Sequence, residues 1–361
     1  MNAPVLFERH AAANGSVVGV ATLNVPQALN ALSLEMIRLL STQLEAWRHD
    51  PDVACVVLRG AGGKAFCAGG DVVALYHAIR AGDQSLGDTF FAEEYVLDHA
   101  IHTYPKPILL WGHGIVMGGG VGLMAGASHR VVTERSRIAM PEITIGLYPD
   151  VGGSWFLSRL PGRLGIYLGL TGASFNAADA LYVGLADFAL PSQAGETLLA
   201  DVAALAWQGE GEADKRVLSA FLRERSRAAE LELAPSPIRE HFETIQTLTD
   251  YDTVDEMVAA IVGYDGEDDW LRGGAQKLAA GSPTSMRLIV EMQRRAKHLS
   301  LREAFDMELT VSRQCCRQHD FPEGVRALLV EKDNQPQWQP ARLADVRAAD
   351  IDRFFVDPAG V

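Results

Sequence analysis

The sequence predicts an α/β fold followed by a mainly helical C-terminal region. Two short, uninterrupted apolar runs, DVACVVLRG (52–60) and KPILLWG (106–112), read as strands buried on both faces. Each runs into a glycine-rich loop, GAGGKAFCAGGD (60–71) and HGIVMGGGVGLMAG (113–126), that opens a helical pattern. From about residue 191 onward the patterning is mostly helical.

The elements follow in chain order. VVGVATL (17–23) is β-rich and leads into the loop NVPQALNAL (24–32). Ser33 reads as an N-cap, and Leu34, Ile37, Leu40, Leu44 and Trp47 recur at helical spacing, which predicts an amphipathic helix over 34–49. Helices are expected over 71–80 and 89–103, short strands at HRVVT and RIAM, and a helical segment after Asp150. The clearest later periodicity lies in ADKRVLSAFLRERSRAAELE (213–232) and in SPTSMRLIVEMQRRAKHLSLREAFDMELTVSRQCCRQ (282–318). LAPSPIREHF (233–242) reads as a turn or short linker. The resulting partition is an α/β core over 1–190 and a mainly helical region over 191–361.

Composition narrows the function class. A chain of 361 residues with 48% hydrophobic and 22% charged residues is that of a globular enzyme. A net charge of −14 argues against nucleic acid and anionic membrane as main partners, and a local basic patch for a phosphorylated ligand stays compatible with it. Four cysteines, Cys55, Cys67, Cys315 and Cys316, form no C-x-x-C pair and point to a reducing compartment. The N-terminus lacks a basic segment followed by an apolar one, and no apolar run approaches the roughly 20 residues that span a bilayer. A cytoplasmic location, without a membrane partner, is the expectation; a homo-oligomer is compatible with it.

Several chemistries find little support. Gly120, Gly122 and Gly126, with Glu142 further on, resemble a dinucleotide fingerprint, but that motif belongs in the first βα unit of its domain and here follows an earlier one. No G-x-S-x-G elbow, H-E-x-x-H or zinc-spaced cluster occurs. His99, His102 and His113 read as packing or surface residues, Cys67 as a small buried residue, and Arg294, Arg295 and Lys297 as a solvated helix face. No metal or redox cofactor is called for.

MPEITIGLYPDVGG (140–153) sets Glu142 and Asp150 around an apolar run, where carboxylates need partners or a function. Backbone N–H groups near Gly70 and Gly119 suit an oxyanion hole, and the two acids suit proton transfer or nucleophilic attack. The competing readings are tight turns for the glycine loops, a salt bridge for Glu142 and an N-cap of the following helix for Asp150.

The segments 24–32, 60–71, 113–123 and 140–153 together resemble the crotonase superfamily, the enoyl-CoA hydratase/isomerase fold. FFAEEYVLDHAI (90–101), the GLYPDVGG segment and HDFPEGVRALLVEKDNQPQW (319–338) bring the chain nearest to its branch of 3-hydroxyacyl-CoA thioester hydrolases. The resemblance implies a crotonase-like spiral of ββα units, an acyl-CoA substrate, no cofactor beyond the coenzyme A that substrate carries, and a role in valine breakdown. It implies that Gly70 and Gly119 form the oxyanion hole, that Glu142 and Asp150 are catalytic acids, and that Glu94 contacts substrate together with Gly119, Glu142 and Asp150. One departure from the superfamily's hydratases stands out. Their first glutamate would fall at Gly122, and Asp150 stands where they carry a small residue, so hydrolysis is expected over hydration. A hydratase or isomerase, and a non-catalytic acyl-CoA-binding protein, are the alternatives.

Overall fold

In the computed structural model, which describes residues 3–358, the chain opens with an antiparallel hairpin, β1 (Val5–Ala11) and β2 (Val17–Leu23). The first strand escaped the sequence reading because it is an edge. Most of VLFERHA is left exposed or half-buried, so no apolar run marks it. Helix α1 (Leu34–His49) is the helix expected. Ser33 Oγ accepts the Met36 N–H at 3.2 Å, and Met36, Ile37, Leu40, Leu44 and Trp47 form its buried stripe.

Three ββ pairs follow: β3 (Val53–Gly60) with β4 (Ala65–Cys67), β5 (Ile108–Gly112) with β6 (Ile115–Met117), and β7 (His129–Val132) with β8 (Arg137–Ala139). The first strand of each pair joins a six-stranded sheet of order β1-β2-β3-β5-β7-β9, where β9 is Phe188–Ala189. The second joins a three-stranded sheet of order β4-β6-β8. Beyond the first hairpin the larger sheet is parallel throughout. Parallel pairing needs crossovers. Helices α2 (Val72–Arg80) and α3 (Ser85–His102) lie between β4 and β5, α4 (Gly119–Gly126) lies between β6 and β7, and a 3₁₀ turn, Glu142–Ile145, follows β8. This is the spiral of ββα units that the resemblance implied. Its sheet is buried on both faces, as the uninterrupted runs required. Val18, Val20, Cys55, Val57, Leu109 and Val131 pack on one face with Leu198, Val202, Leu218 and Leu222 of the helices Leu198–Ala203 and Gly211–Ala228. Ala21, Val56, Leu58 and Leu110, which point the other way, are buried as well.

The chain divides into two compact units. One holds the residues up to Gly70, Val96–Ile138 and Phe175–Ser236; the other holds Asp71–Tyr95, Ala139–Ser174 and the residues from Pro237 on. Among the described residues no strand follows Ala189, so the helical patterning from 191 onward is real. The partition at 190/191 is nevertheless a different one, since it marks where strands stop. Helix Gly211–Ala228 packs on the sheet, whereas segments 71–95 and 139–174 belong with the C-terminal helices. Amphipathic periodicity tells which face of a helix is buried but not against what. The last passage between units, at Ser236/Pro237, falls inside the 233–242 segment read as a linker. Among the described residues no helix is long and apolar enough to cross a membrane.

Candidate active site

In the first unit the glycine loops are built by backbone stitching. Leu32 N–H donates to Gly69 O at 2.8 Å, Ala68 N–H to Leu29 O at 3.1 Å, and Leu32 and Gly70 form an isolated parallel bridge. Asn30, buried and left-handed at φ 57°, accepts the Val25 N–H through Oδ1 and donates through Nδ2 to Ala61 O and Ala65 O. It thereby holds the 24–32 loop on the loop that carries Gly70, a role the sequence reading did not assign.

Gly119 is the first residue of α4. The N-cap, Gly118, sits at φ 49° and offers no side chain to the helix; Val121 N–H turns back to Gly118 O at 2.7 Å, and the Gly119 and Gly120 N–H groups, which precede it, are not capped by a Gly118 side chain. A Cβ built on Gly69 would lie 3.9 Å from the Gly119 nitrogen, which sets the two loops side by side. At Gly120 a Cβ would stand 2.4 Å from Cys67 O. Close packing of α4 against the end of β4 thus accounts for a glycine in the apparent dinucleotide motif, and Cys67 is the small, buried partner.

The second unit gathers the acids. Glu94 and Tyr95 come from α3, Glu142 opens the 3₁₀ turn, Asp150 lies in the loop that follows, and Glu308 and Ser312 come one helical turn apart from helix Leu301–Cys315. All four carboxyl groups are at most 5% exposed. Burial first, and the neighbouring Asp150 charge second, hold Glu94 well above the usual carboxylate range. Burial, the Asp150 charge and then Glu94 do the same to Glu142, against its own backbone hydrogen bond. Burial raises Asp150 to about 6, opposed by the Tyr95 hydroxyl, which donates to Asp150 Oδ2 at 2.6 Å. Glu94 Oε1 and Glu142 Oε2 are buried without a hydrogen-bond partner among the described residues, which leaves both able to meet a polar group of a ligand. Among the described residues no cation contributes to the shifts of Glu94, Glu142 or Asp150, so the salt-bridge reading of Glu142 fails.

The capping reading of Asp150 fails as well. The helix after it, Gly153–Leu157, has Gly152 as N-cap at φ 84°, with no side-chain bond from that residue. Glu308 occupies the helix start instead. Its Oε2 accepts the Gly152 N–H at 2.7 Å, and its Oε1 accepts the Ser154 N–H at 3.0 Å and the Ser154 hydroxyl. Burial pushes Glu308 up to about 8, against these bonds from Ser154 and Gly152. Val151, between Asp150 and the cap, is held at φ 52°. For a β-branched residue that conformation is an outlier, and such strain persists where surroundings over-determine it.

The 3₁₀ turn bearing Glu142 is pinned by backbone. Leu147 N–H donates to Glu142 O at 3.0 Å and Ser282 N–H to Ile143 O at 3.3 Å, and a Cβ on Gly324 would stand 2.4 Å from the Ile145 carbonyl carbon. Thus Glu94, Glu142 and Asp150 are brought together in one unit, and Gly70 and Gly119 in the other. Tyr95, Tyr148, Glu308 and Ser312 were missed by sequence reasoning. The available signals were the EEY triplet and the four-residue spacing of Glu308 and Ser312.

A model of the family described as enoyl-CoA hydratase/isomerase matches residues 18–355. The chain belongs to the enoyl-CoA hydratase/isomerase family. Within it, the mitochondrial 3-hydroxyisobutyryl-CoA hydrolase of Danio rerio is 42% identical over 351 residues, covering 97% of this chain and 89% of its own. The Homo sapiens protein of that name is 39% identical over 338 residues, covering 93% and 86%. Among solved family structures, a carnitinyl-CoA dehydratase from Mycobacterium thermoresistibile is 38% identical with a TM-score of 0.86, covering 99% of this chain and 98% of its own. An enoyl-CoA hydratase from Rhodobacter sphaeroides 2.4.1 is 32% identical with a TM-score of 0.83, with the same coverage.

Proposed function

We propose that this chain hydrolyses a short-chain 3-hydroxyacyl-CoA thioester, with 3-hydroxyisobutyryl-CoA as substrate and 3-hydroxyisobutyrate and coenzyme A as products, a step of valine breakdown. The observation that carries the reading is Asp150: a buried carboxyl, released from capping by Glu308, beside two other carboxyl groups with unpartnered oxygens. The names of the curated relatives support it.

The thioester carbonyl oxygen lies on the N–H groups of Gly70 and Gly119, which stabilise the charge that develops on it. Glu142 attacks the carbonyl carbon or activates the water that does. Asp150 holds the substrate hydroxyl or moves a proton, and Glu94 contacts the acyl group. The reaction takes water as co-substrate and assigns no task to a metal or redox group. A cytoplasmic location and a homo-oligomeric assembly belong to the same proposal. The four buried thiols agree with a reducing compartment, and the curated relatives are named mitochondrial.

A second reading, hydration or isomerisation of an enoyl-CoA, is favoured by the names of the solved relatives. Against it stands Gly122, a buried position inside α4 with no side chain where the resemblance requires a glutamate. The test offers the protein 3-hydroxyisobutyryl-CoA and crotonyl-CoA separately. Thiol release from the first at a rate well above double-bond loss from the second is expected. Rapid loss of the crotonyl double bond with no thiol release from the hydroxy substrate would overturn the assignment.

A further inference from the structure

A chain of hydroxyl groups leads away from Asp150 into the core of the second unit. Asp150 Oδ2 lies 2.6 Å from Tyr95 Oη, and Tyr95 Oη lies 2.6 Å from Ser312 Oγ. Ser312 Oγ lies 2.9 Å from Tyr148 Oη, which lies 2.8 Å from the Glu308 carbonyl oxygen. Tyr95 is 3% exposed, and Tyr148 and Ser312 are fully buried. Each of the four contacts has hydrogen-bond length and needs one proton. The three hydroxyls bring one proton each, and the carbonyl brings none. With Asp150 ionised the chain is therefore one proton short. With Asp150 protonated the count closes: Asp150 donates to Tyr95, Tyr95 to Ser312, Ser312 to Tyr148, and Tyr148 to the carbonyl.

We infer that Tyr95, Ser312 and Tyr148 are positioning residues that make Asp150 the proton acceptor of the hydrolysis, because the hydroxyl chain reverses at Tyr95 and completes itself when Asp150 takes a proton. The inference rests on the hydrolase reading of the acid cluster. In the first step an O–H bond of the attacking group, water or the Glu142 carboxyl, breaks. Its electron pair forms the new C–O bond at the thioester carbon as the carbonyl π pair moves onto oxygen, and the proton goes to Asp150. In the second step the oxygen pair re-forms the C=O bond, the C–S bond breaks with its pair on sulfur, and the proton passes from Asp150 to sulfur to give the free thiol. Where Glu142 attacked, water then adds to the acyl–Glu142 anhydride with its proton going to Asp150, and the C–O bond to Glu142 breaks with its pair, and that proton, on the Glu142 carboxyl. Reversal of the chain needs rotation about C–O bonds and no displacement of heavy atoms.

The titratable groups that face Asp150 are Glu94 and Tyr95 from α3, Glu142 from the 3₁₀ turn, Tyr148 from its own loop, and Glu308, Cys315 and Cys316 from the helix Leu301–Cys315 and its end. All are acids, phenols or thiols, so the donor from Tyr95 is the main support for the Asp150 anion.

Two variants separate this chain from ordinary packing, because they move Asp150 in opposite directions. Tyr95→Phe removes the donor to the ionised carboxylate, which is the stronger bond. The ionised form loses more, and Asp150 titrates about one pH unit higher. Ser312→Ala leaves that donor in place but takes the acceptor from Tyr95 in the reversed chain. The protonated form loses, and Asp150 titrates lower by up to about one pH unit. The shifts are read in the acid limb of kcat/KM for 3-hydroxyisobutyryl-CoA hydrolysis. They are read independently in the infrared carboxyl band of the resting protein, assigned by its loss in Asp150→Asn. Opposite shifts are expected. Shifts of the same sign, or no shift in Ser312→Ala, would overturn the chain. Should Tyr95→Phe fail to fold, the sign in Ser312→Ala decides alone: downward supports the chain, unchanged or upward removes it. Absence of thiol release by the wild-type protein removes the hydrolase reading and the acceptor role with it. Normal thiol release with no downward shift in Ser312→Ala removes the chain and leaves the hydrolase reading standing.

Discussion

Replacing Glu142 by glutamine exchanges a carboxyl for an amide of nearly the same shape, so the two properties of this residue can be separated. Turnover is expected to fall by about 10²–10⁴-fold, the usual worth of a positioned acid or base. Stability at pH 8 is expected to rise. The folded protein holds Glu142 well above the ordinary carboxylate range, so ionisation above that range disfavours the folded state, and the amide removes the penalty. Melting curves and thiol-release assays on one preparation check both. A folded variant with wild-type turnover would make Glu142 structural. Asp150→Asn is the companion. Asparagine caps helices as well as aspartate, but Glu308 does the capping here, so the exchange acts on the chemistry. Turnover is expected to drop at least about 10²-fold with melting unchanged or raised; the reverse pattern, lost stability and retained turnover, would restore Asp150 as a structural residue. At this scale Glu142 and Asp150 were legible because carboxylates flanking an apolar run are conspicuous. Glu308 and Ser312 were not, since each sits on an amphipathic helix whose buried polar positions look like ordinary turns of the pattern.

Gly70 follows β4, Gly119 follows β6 and Glu142 follows β8, each within three residues of the strand's end. The site residues thus recur at one position of successive ββ units. That recurrence is why the buried strands and their glycine loops were enough to single out Gly70 and Gly119 as candidates. What holds the elements in place was hidden, because it comes from over a hundred residues away. Glu308 satisfies the start of helix Gly153–Leu157, and its replacement by alanine leaves buried N–H groups without acceptors. A loss of about 3 kcal/mol in denaturant unfolding is expected for Glu308→Ala; an unchanged midpoint would mean that the helix start has another acceptor. Gly324 presses on the turn that carries Glu142 at a distance no Cβ tolerates. Gly324→Ala should shift that turn, cost about 1–3 kcal/mol and reduce kcat with little effect on KM. Should kcat remain normal in a folded variant, the turn does not depend on that contact.

Over the whole molecule the buried acids make stability fall as pH rises, against the opposite contribution of His102 and His129, whose burial disfavours the charged imidazole. Glu94, Glu142, Asp150 and Glu308 are all raised in the folded state, the last two to about 6 and about 8. Between the ordinary carboxylate range near pH 4 and these raised values, the folded chain binds more protons than the unfolded one, so stability falls as pH rises. A higher melting temperature at pH 5.5 than at pH 8 is expected, with the difference reduced in a Glu94→Gln, Glu142→Gln double variant. A pH dependence left unchanged in the double variant would show the carboxyls to be charged without penalty. The parallel sheet and the helical C-terminal region could be read from apolar runs and periodicity alone. The division into two units could not, because the chain passes between them several times, and which segments pack together depends on contacts that no local pattern records.

Carboxyl groups sealed inside a chain of net charge −14 have one further consequence. A ligand that brings a polar group to Glu94 Oε1 or Glu142 Oε2 changes the affinity of those oxygens for hydrogen ions. Occupancy and buffer acidity then become two handles on one equilibrium, reciprocal by linkage. The heat of binding will carry a contribution from whichever buffer supplies or absorbs the exchanged hydrogen ion.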